Sequence, residues 1–134
     1  MKKTYHGSCH CGRVRFEADI DFDKGTGRCN CTICSKKRAW NVSVKPDAFR
    51  LISGKDDLGD YQFATKQGHH RFCRNCGVTA FGDGDVKELG GAFVSISVAA
   101  IDDLSPEELE RLPIQYSDGL HNNWMNPPKH HGYL

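Results

Sequence analysis

Short runs of alternating apolar and polar residues recur along this chain, separated by turn residues, the pattern of an all-β architecture. The clearest is RVRFEADI at 13–20, where Val14, Phe16 and Ala18 share one face while Arg15 and Glu17 take the other. That is the period of two a half-buried strand requires. Similar runs predict strands at WNVSV (40–44), FRLIS (49–53) and DYQFAT (60–65). Others are expected at GVTAFG (77–82), AFVSISVAA (92–100) and PIQYS (113–117). One short helix is expected over 105–112. Ser105 stands at its N-cap, Pro106 at the first helical position and Glu108 three residues after the cap, a capping box that Pro113 soon terminates. The tail HNNWMNPPKHHGYL reads as irregular chain, with Trp124 available to anchor part of it against the body.

Composition narrows the class. The 134 residues fit one domain with a real core, and no repeat or linker divides them. Charged residues make up 26% and the net charge is +1. This balance argues against general binding to nucleic acid or membrane surfaces, which shows as a basic excess. The opening MKKTYHGSC has two lysines but no apolar run behind them, unlike a signal peptide. No stretch approaches the roughly 18 apolar residues of a membrane span. The expectation is a soluble, cytoplasmic protein without nucleic-acid or membrane partners. Exposed edge strands leave a dimer open.

The seven cysteines change the picture most. An odd number cannot all pair within one chain, and in a reducing cytosol clustered thiols hold metals or do chemistry more often than they form disulfides. They fall into C-x-C at Cys9 and Cys11, C-x-C-x-x-C at Cys29, Cys31 and Cys34, and C-x-x-C at Cys73 and Cys76. Each pair can supply two sulfurs to one tetrahedral zinc ion, and Gly7, Gly12 and Gly77 beside them suit sharp metal-binding turns. Joining Cys9 and Cys11 to Cys73 and Cys76 would close a four-sulfur structural site across distant parts of the chain. The plainer alternative is that these are buried thiols used only for packing.

If the two pairs go together, the triplet is left with three sulfurs. Three thiolates leave a fourth position of a zinc ion open for substrate, the arrangement of a catalytic site. The rival is a closed site completed by His6, His10, His69, His70, His121, His130 or His131, none of which has motif spacing to the triplet. Iron–sulfur ligation is a further alternative, although the spacings match none of the common cluster patterns. A three-thiolate zinc is a weak Lewis acid, yet coordination lowers the pKa of an incoming thiol. Such a site suits addition of a thiol to a carbonyl, or the reverse. Lys36, Lys37 and Arg38 could attract the carboxylates of an acidic thiol such as glutathione, or could form only a solvated face.

GSCHCGRVRFEA (7–18), CNCTIC (29–34) and FCRNCGVTAF (72–81) resemble, in order and spacing, the signatures of the glutathione-dependent formaldehyde-activating enzyme family, which includes centromere protein V. The resemblance extends through DYQFAT and SDGLHNNW and covers roughly 5–128, leaving 129–134 as a tail. It implies a zinc-stabilised β-tent of several coiled antiparallel sheets. It also implies a structural zinc on Cys9, Cys11, Cys73 and Cys76, and a catalytic, more weakly held zinc on Cys29, Cys31 and Cys34 near the glutathione site. The implied reaction forms S-(hydroxymethyl)glutathione from glutathione and formaldehyde, and in reverse is that of a carbon–sulfur lyase. The competing reading is a zinc-stabilised interaction module without catalysis. A nucleic-acid-binding zinc module is third, and the +1 charge speaks against it.

Overall fold

Phe16, Ala18 and Ile20 are all buried along β2 (Arg15–Ile20), and this one face decides where the core lies. In the computed structural model, which describes residues 1–134, β2 is the middle strand of a three-stranded sheet. Its neighbours are β1 (Lys3–Ser8) and β5 (Phe49–Ser53), both antiparallel to it. The second sheet holds β3 (Thr26–Cys29), β4 (Asn41–Val44), β6 (Leu58–Tyr61), β7 (Gly68–Cys73), β8 (Phe81–Val86), β9 (Gly91–Ser97) and β10 (Ile114–Ser117). Their order is β10-β3-β4-β9-β8-β7-β6, so neither sheet closes into a barrel.

Aromatic rings join the two sheets. Phe16 of β2 stacks on Phe49 of β5 at 5.4 Å between ring centres, and Phe49 lies 4.6 Å from Phe81 of β8. Val42 of β4 and Val94 and Ile96 of β9 close the core from the larger sheet. The alternation along β9 leaves Phe93 and Ser95 on its opposite face, away from this core. Thus β9 has two jobs, one face in the core and the other beside the cysteine triplet.

The molecule is mainly β, as the alternation predicts, with differences that have local causes. DYQFAT is strand only as far as Tyr61, because Ala64 and Lys66 adopt positive φ of 54° and 58° and turn the chain into β7. GVTAFG begins as a cysteine turn, with Gly77 at φ 80°, and the strand starts at Phe81. β9 stops at Ser97, where a single 3₁₀ turn over Val98–Ala100 takes over. β10 runs parallel to β3, Ile114 opposite Thr26 and Ser117 opposite Cys29, against the antiparallel expectation. Strands β1, β3 and β7 carry too little alternation to be legible.

The expected helix is α2 (Pro106–Arg111), and both capping-box bonds are present at 3.1 Å, from Glu108 N to Ser105 Oγ and from Ser105 N to Glu108 Oε1. It is not the single helix anticipated. A second, α1 (Thr32–Lys37), grows out of the cysteine triplet. No helix is long and apolar enough to cross a membrane.

Candidate metal centres and their cavities

Cys9 and Cys11 occupy the turn between β1 and β2, while Cys73 ends β7 and Cys76 lies in the following turn. Their four sulfurs lie within 4.8 Å of one another. Cys11 Sγ is 3.6 Å from that of Cys9 and 3.7 Å from that of Cys73. Sulfurs bound to zinc at about 2.3 Å in a tetrahedron sit roughly 3.8 Å apart, so the spacing fits that ion. Gly12 and Gly77, each following a cysteine, have φ of 83° and 80°, a conformation that favours glycine. Gly7 differs from the expectation: it lies within β1, where a Cβ would fall 2.2 Å from the Phe16 ring, so close packing explains it rather than a metal turn. The amides of Cys11 and Val78 hold the Cys76 thiol down at about 6.

The second cluster is built at a strand-to-helix junction. Cys29 ends β3, Cys31 is the N-cap of α1 and Cys34 lies inside that helix, so a chain reversal brings the three sulfurs within 4.8 Å of one another. No histidine nitrogen belongs to this cluster. His6 pairs with Asp103 at 3.0 Å, His69 with Asp60 at 2.7 Å and His121 with Asp118 at 2.9 Å. His131 stacks on Tyr116 at 4.1 Å and His70 on Phe63 at 5.4 Å, while His10 and His130 are exposed. Hydrogen bonds from Cys29 and then Cys34 favour a thiolate on Cys31, which lies far below the ordinary thiol range. Cys29 and Cys34 are correspondingly raised.

Asn30, between two of these cysteines, is buried and fully used. Its Nδ2 donates to Asp118 Oδ1 at 2.9 Å, its Oδ1 accepts from Leu120 N at 3.0 Å, and its carbonyl accepts from Ser35 Oγ at 3.0 Å. These bonds fasten the segment after β10 over the triplet. At Gly119 a Cβ would lie 2.6 Å from Cys29 Sγ and 2.5 Å from the Trp124 ring, so only glycine admits both. The expected anchoring of the tail by Trp124 is therefore present, and its target is the cysteine cluster.

Two cavities meet there. A narrow one of about 340 Å³ is lined by Cys31, Cys34 and Lys37 of the α1 region, by His70, and by Phe93 and Trp124. A wider one of about 660 Å³ lies on the other side of Cys34 and carries charges of both signs. The four-sulfur cluster lines neither. Of the basic run, Lys37 alone lines either cavity. Burial and then the Lys37 charge lower the pKa of His70, so its imidazole is neutral at pH 7.

The sequence model of the glutathione-dependent formaldehyde-activating enzyme family matches residues 4–116. The chain belongs to that family. A Halomonas elongata protein named "Putative glutathione-dependent formaldehyde-activating enzyme" is 33% identical over 78 residues. That alignment covers 52% of this chain and 50% of the relative, so the chain matches about half the length of that protein. The crystal structure of a Rhodobacter sphaeroides protein is similar at 27% identity, with a TM-score of 0.69 over 82% of this chain and 99% of that one.

As a member of this family the chain brings together both expected cysteine groups, and it adds residues that sequence reading missed. Asn30 and Gly119 act through contacts about ninety positions apart in sequence. The CNC spacing draws attention to the cysteines and gives no reason to single out the residue between them. Gly119 and Trp124 lie beyond the matched 4–116 stretch.

Proposed function

We propose that this chain joins a low-molecular-weight thiol to an aldehyde carbonyl, and reverses that reaction as a carbon–sulfur lyase, with glutathione and formaldehyde as the reference pair. The observation that carries this reading is the contrast between the clusters. Three sulfurs without a histidine border two cavities through Cys34, whereas the four-sulfur group borders neither. We assign a structural zinc to Cys9, Cys11, Cys73 and Cys76 and a catalytic zinc to Cys29, Cys31 and Cys34, since sulfur-only donor sets of this spacing suit that ion. When bound to the triplet, zinc supplies an open coordination position at which an incoming thiol ionises.

The chain's own residues handle charge and protons. Lys37 at the edge of the narrow cavity offers its charge to the oxygen that turns negative as sulfur adds to the carbonyl. His70, neutral and facing the same cavity, takes the thiol proton. The sulfur pair then forms the C–S bond, the carbonyl π pair moves to oxygen, and His70 returns the proton there as hydroxyl. In reverse, His70 removes the hydroxyl proton, C=O re-forms and the thiolate leaves. Seven cysteines without a disulfide suit a reducing compartment, and the cytosol is the location we assign.

The test is turnover of glutathione with formaldehyde by zinc-loaded protein and by Cys31→Ala. The expected outcome is activity in the former and at least a hundredfold loss in the latter, with circular dichroism unchanged. A wild type carrying two zinc ions that never alters thiol–aldehyde exchange would instead indicate a zinc-stabilised interaction module.

A further inference from the structure

The narrow cavity is far larger than formaldehyde needs. A water molecule takes about 30 Å³ of liquid volume, and an aldehyde of two heavy atoms needs about twice that. The cavity of about 340 Å³ falls at the lower end of the range that holds drug-sized ligands.

Its walls are largely apolar and come from segments both beside the sulfurs and far from them in sequence. Ile33 comes from α1, Phe63 from the β6–β7 turn, Leu89 from the turn before β9, Phe93 from β9 and Trp124 from the C-terminal segment. Three of these large side chains are substantially exposed, Phe63 at 39%, Leu89 at 57% and Trp124 at 44%. Five elements thus converge on one apolar hollow that opens beside Cys31 and Cys34.

The carboxylate and one of the two histidines at this cavity have partners. Asp83 is held by Arg71 at 2.6 and 3.2 Å, and His69 by Asp60 at 2.7 Å. That leaves Lys37 as the free charge, a poor match for a whole glutathione, with its two carboxylates and one ammonium. The wider cavity beyond Cys34 suits such a zwitterion better, because Lys2, Lys24 and Asp47 line it with both signs. Cys34 and Trp124 line both cavities and mark the junction between them.

We infer that the carbonyl partner is an aldehyde with a large apolar group, aromatic or branched, whose carbon skeleton fills the narrow cavity while the thiol's peptide part lies in the wider one. This rests on the thiol–carbonyl reading above and specifies its substrate class. The reacting bonds are those already described, with the sulfur at the junction.

Unreactive thioethers test it without turnover. S-benzylglutathione mimics the adduct of an aryl aldehyde, and S-methylglutathione that of formaldehyde. Calorimetry on zinc-loaded protein should show the benzyl thioether binding at least tenfold more tightly. Leu89→Arg, at an exposed position that tolerates charge, should cut that ratio below threefold, and Phe93→Ala should lower it as well. Equal affinities, or a ratio untouched by both folded variants, overturn the inference. Formaldehyde turnover in the same samples separates the two levels. Turnover with no benzyl preference sinks the substrate class alone, whereas no turnover and no binding of either thioether sinks the thiol–carbonyl reading with it.

Discussion

At the scale of single residues, the triplet depends on an absent side chain. Gly119 lies against both Cys29 Sγ and the Trp124 ring, closer than any Cβ could stand. Gly119→Ala must therefore displace the sulfur or the indole. The expected result is a folded protein whose weaker zinc is lost at lower chelator concentration, with thiol–aldehyde activity reduced at least tenfold. Metal titration against a chromophoric chelator checks it, and unchanged retention of the second zinc refutes it. The cysteine clusters were legible because their signal is local: two sulfurs on one turn require short spacing, and spacing is what a sequence displays. Asn30, Gly119 and His70 were not, since each gains its role from partners distant in the chain.

At the scale of elements, legibility followed how far each segment depends on itself. Helix α2 carries its own start signal, and both reciprocal capping bonds form. Replacing Ser105 by alanine removes one of them and should cost about 1 kcal/mol of stability. Urea unfolding should show a lower midpoint with an unchanged slope, and the zinc content should stay as before. Helix α1 gave no such signal. It has six residues, opens with β-branched Thr32 and Ile33, and its N-cap Cys31 makes no side-chain capping bond. So short a helix is marginal by itself. Its support comes from its flanks: Ser35 Oγ donates to the carbonyl of Asn30, which is itself fastened to Asp118 and Leu120, and the Arg38 amide closes the last turn. The strand pattern succeeded where one face is fully buried, as along β2, and failed for β7, whose residues are mostly half-buried on both faces. Strand direction is invisible to alternation, which is why the parallel β3–β10 pair came unannounced.

At the scale of the whole molecule, the four-sulfur cluster ties the β1–β2 corner of one sheet to the β7–β8 end of the other. Structural zinc sites contribute about 10–16 kcal/mol at neutral pH, as much as the entire stability of a typical domain, about 5–15 kcal/mol. Loss of that ion should therefore unfold the protein. Acid provides the means, because thiolate ligands bind metal in competition with protons. The carboxylates respond later. Arg50 bonds Asp19 at 3.0 and 3.2 Å and lowers its pKa to about 2. An unfolded aspartate titrates near ~3.9. The stabilisation from Asp19 is thus present above that value and lost only as the pH falls toward 2. We expect acid unfolding to set in above about pH 4, before Asp19 protonates, and to respond to zinc. Each tenfold rise in free zinc adds about 1.4 kcal/mol to the folded state, so the midpoint should move to lower pH as zinc is raised. Circular dichroism at two buffered zinc concentrations measures this, with Cys73→Ser as the control that is unfolded already at neutral pH. A midpoint indifferent to zinc, or a well-folded Cys73→Ser with its full metal content, would mean that packing alone holds the two sheets together.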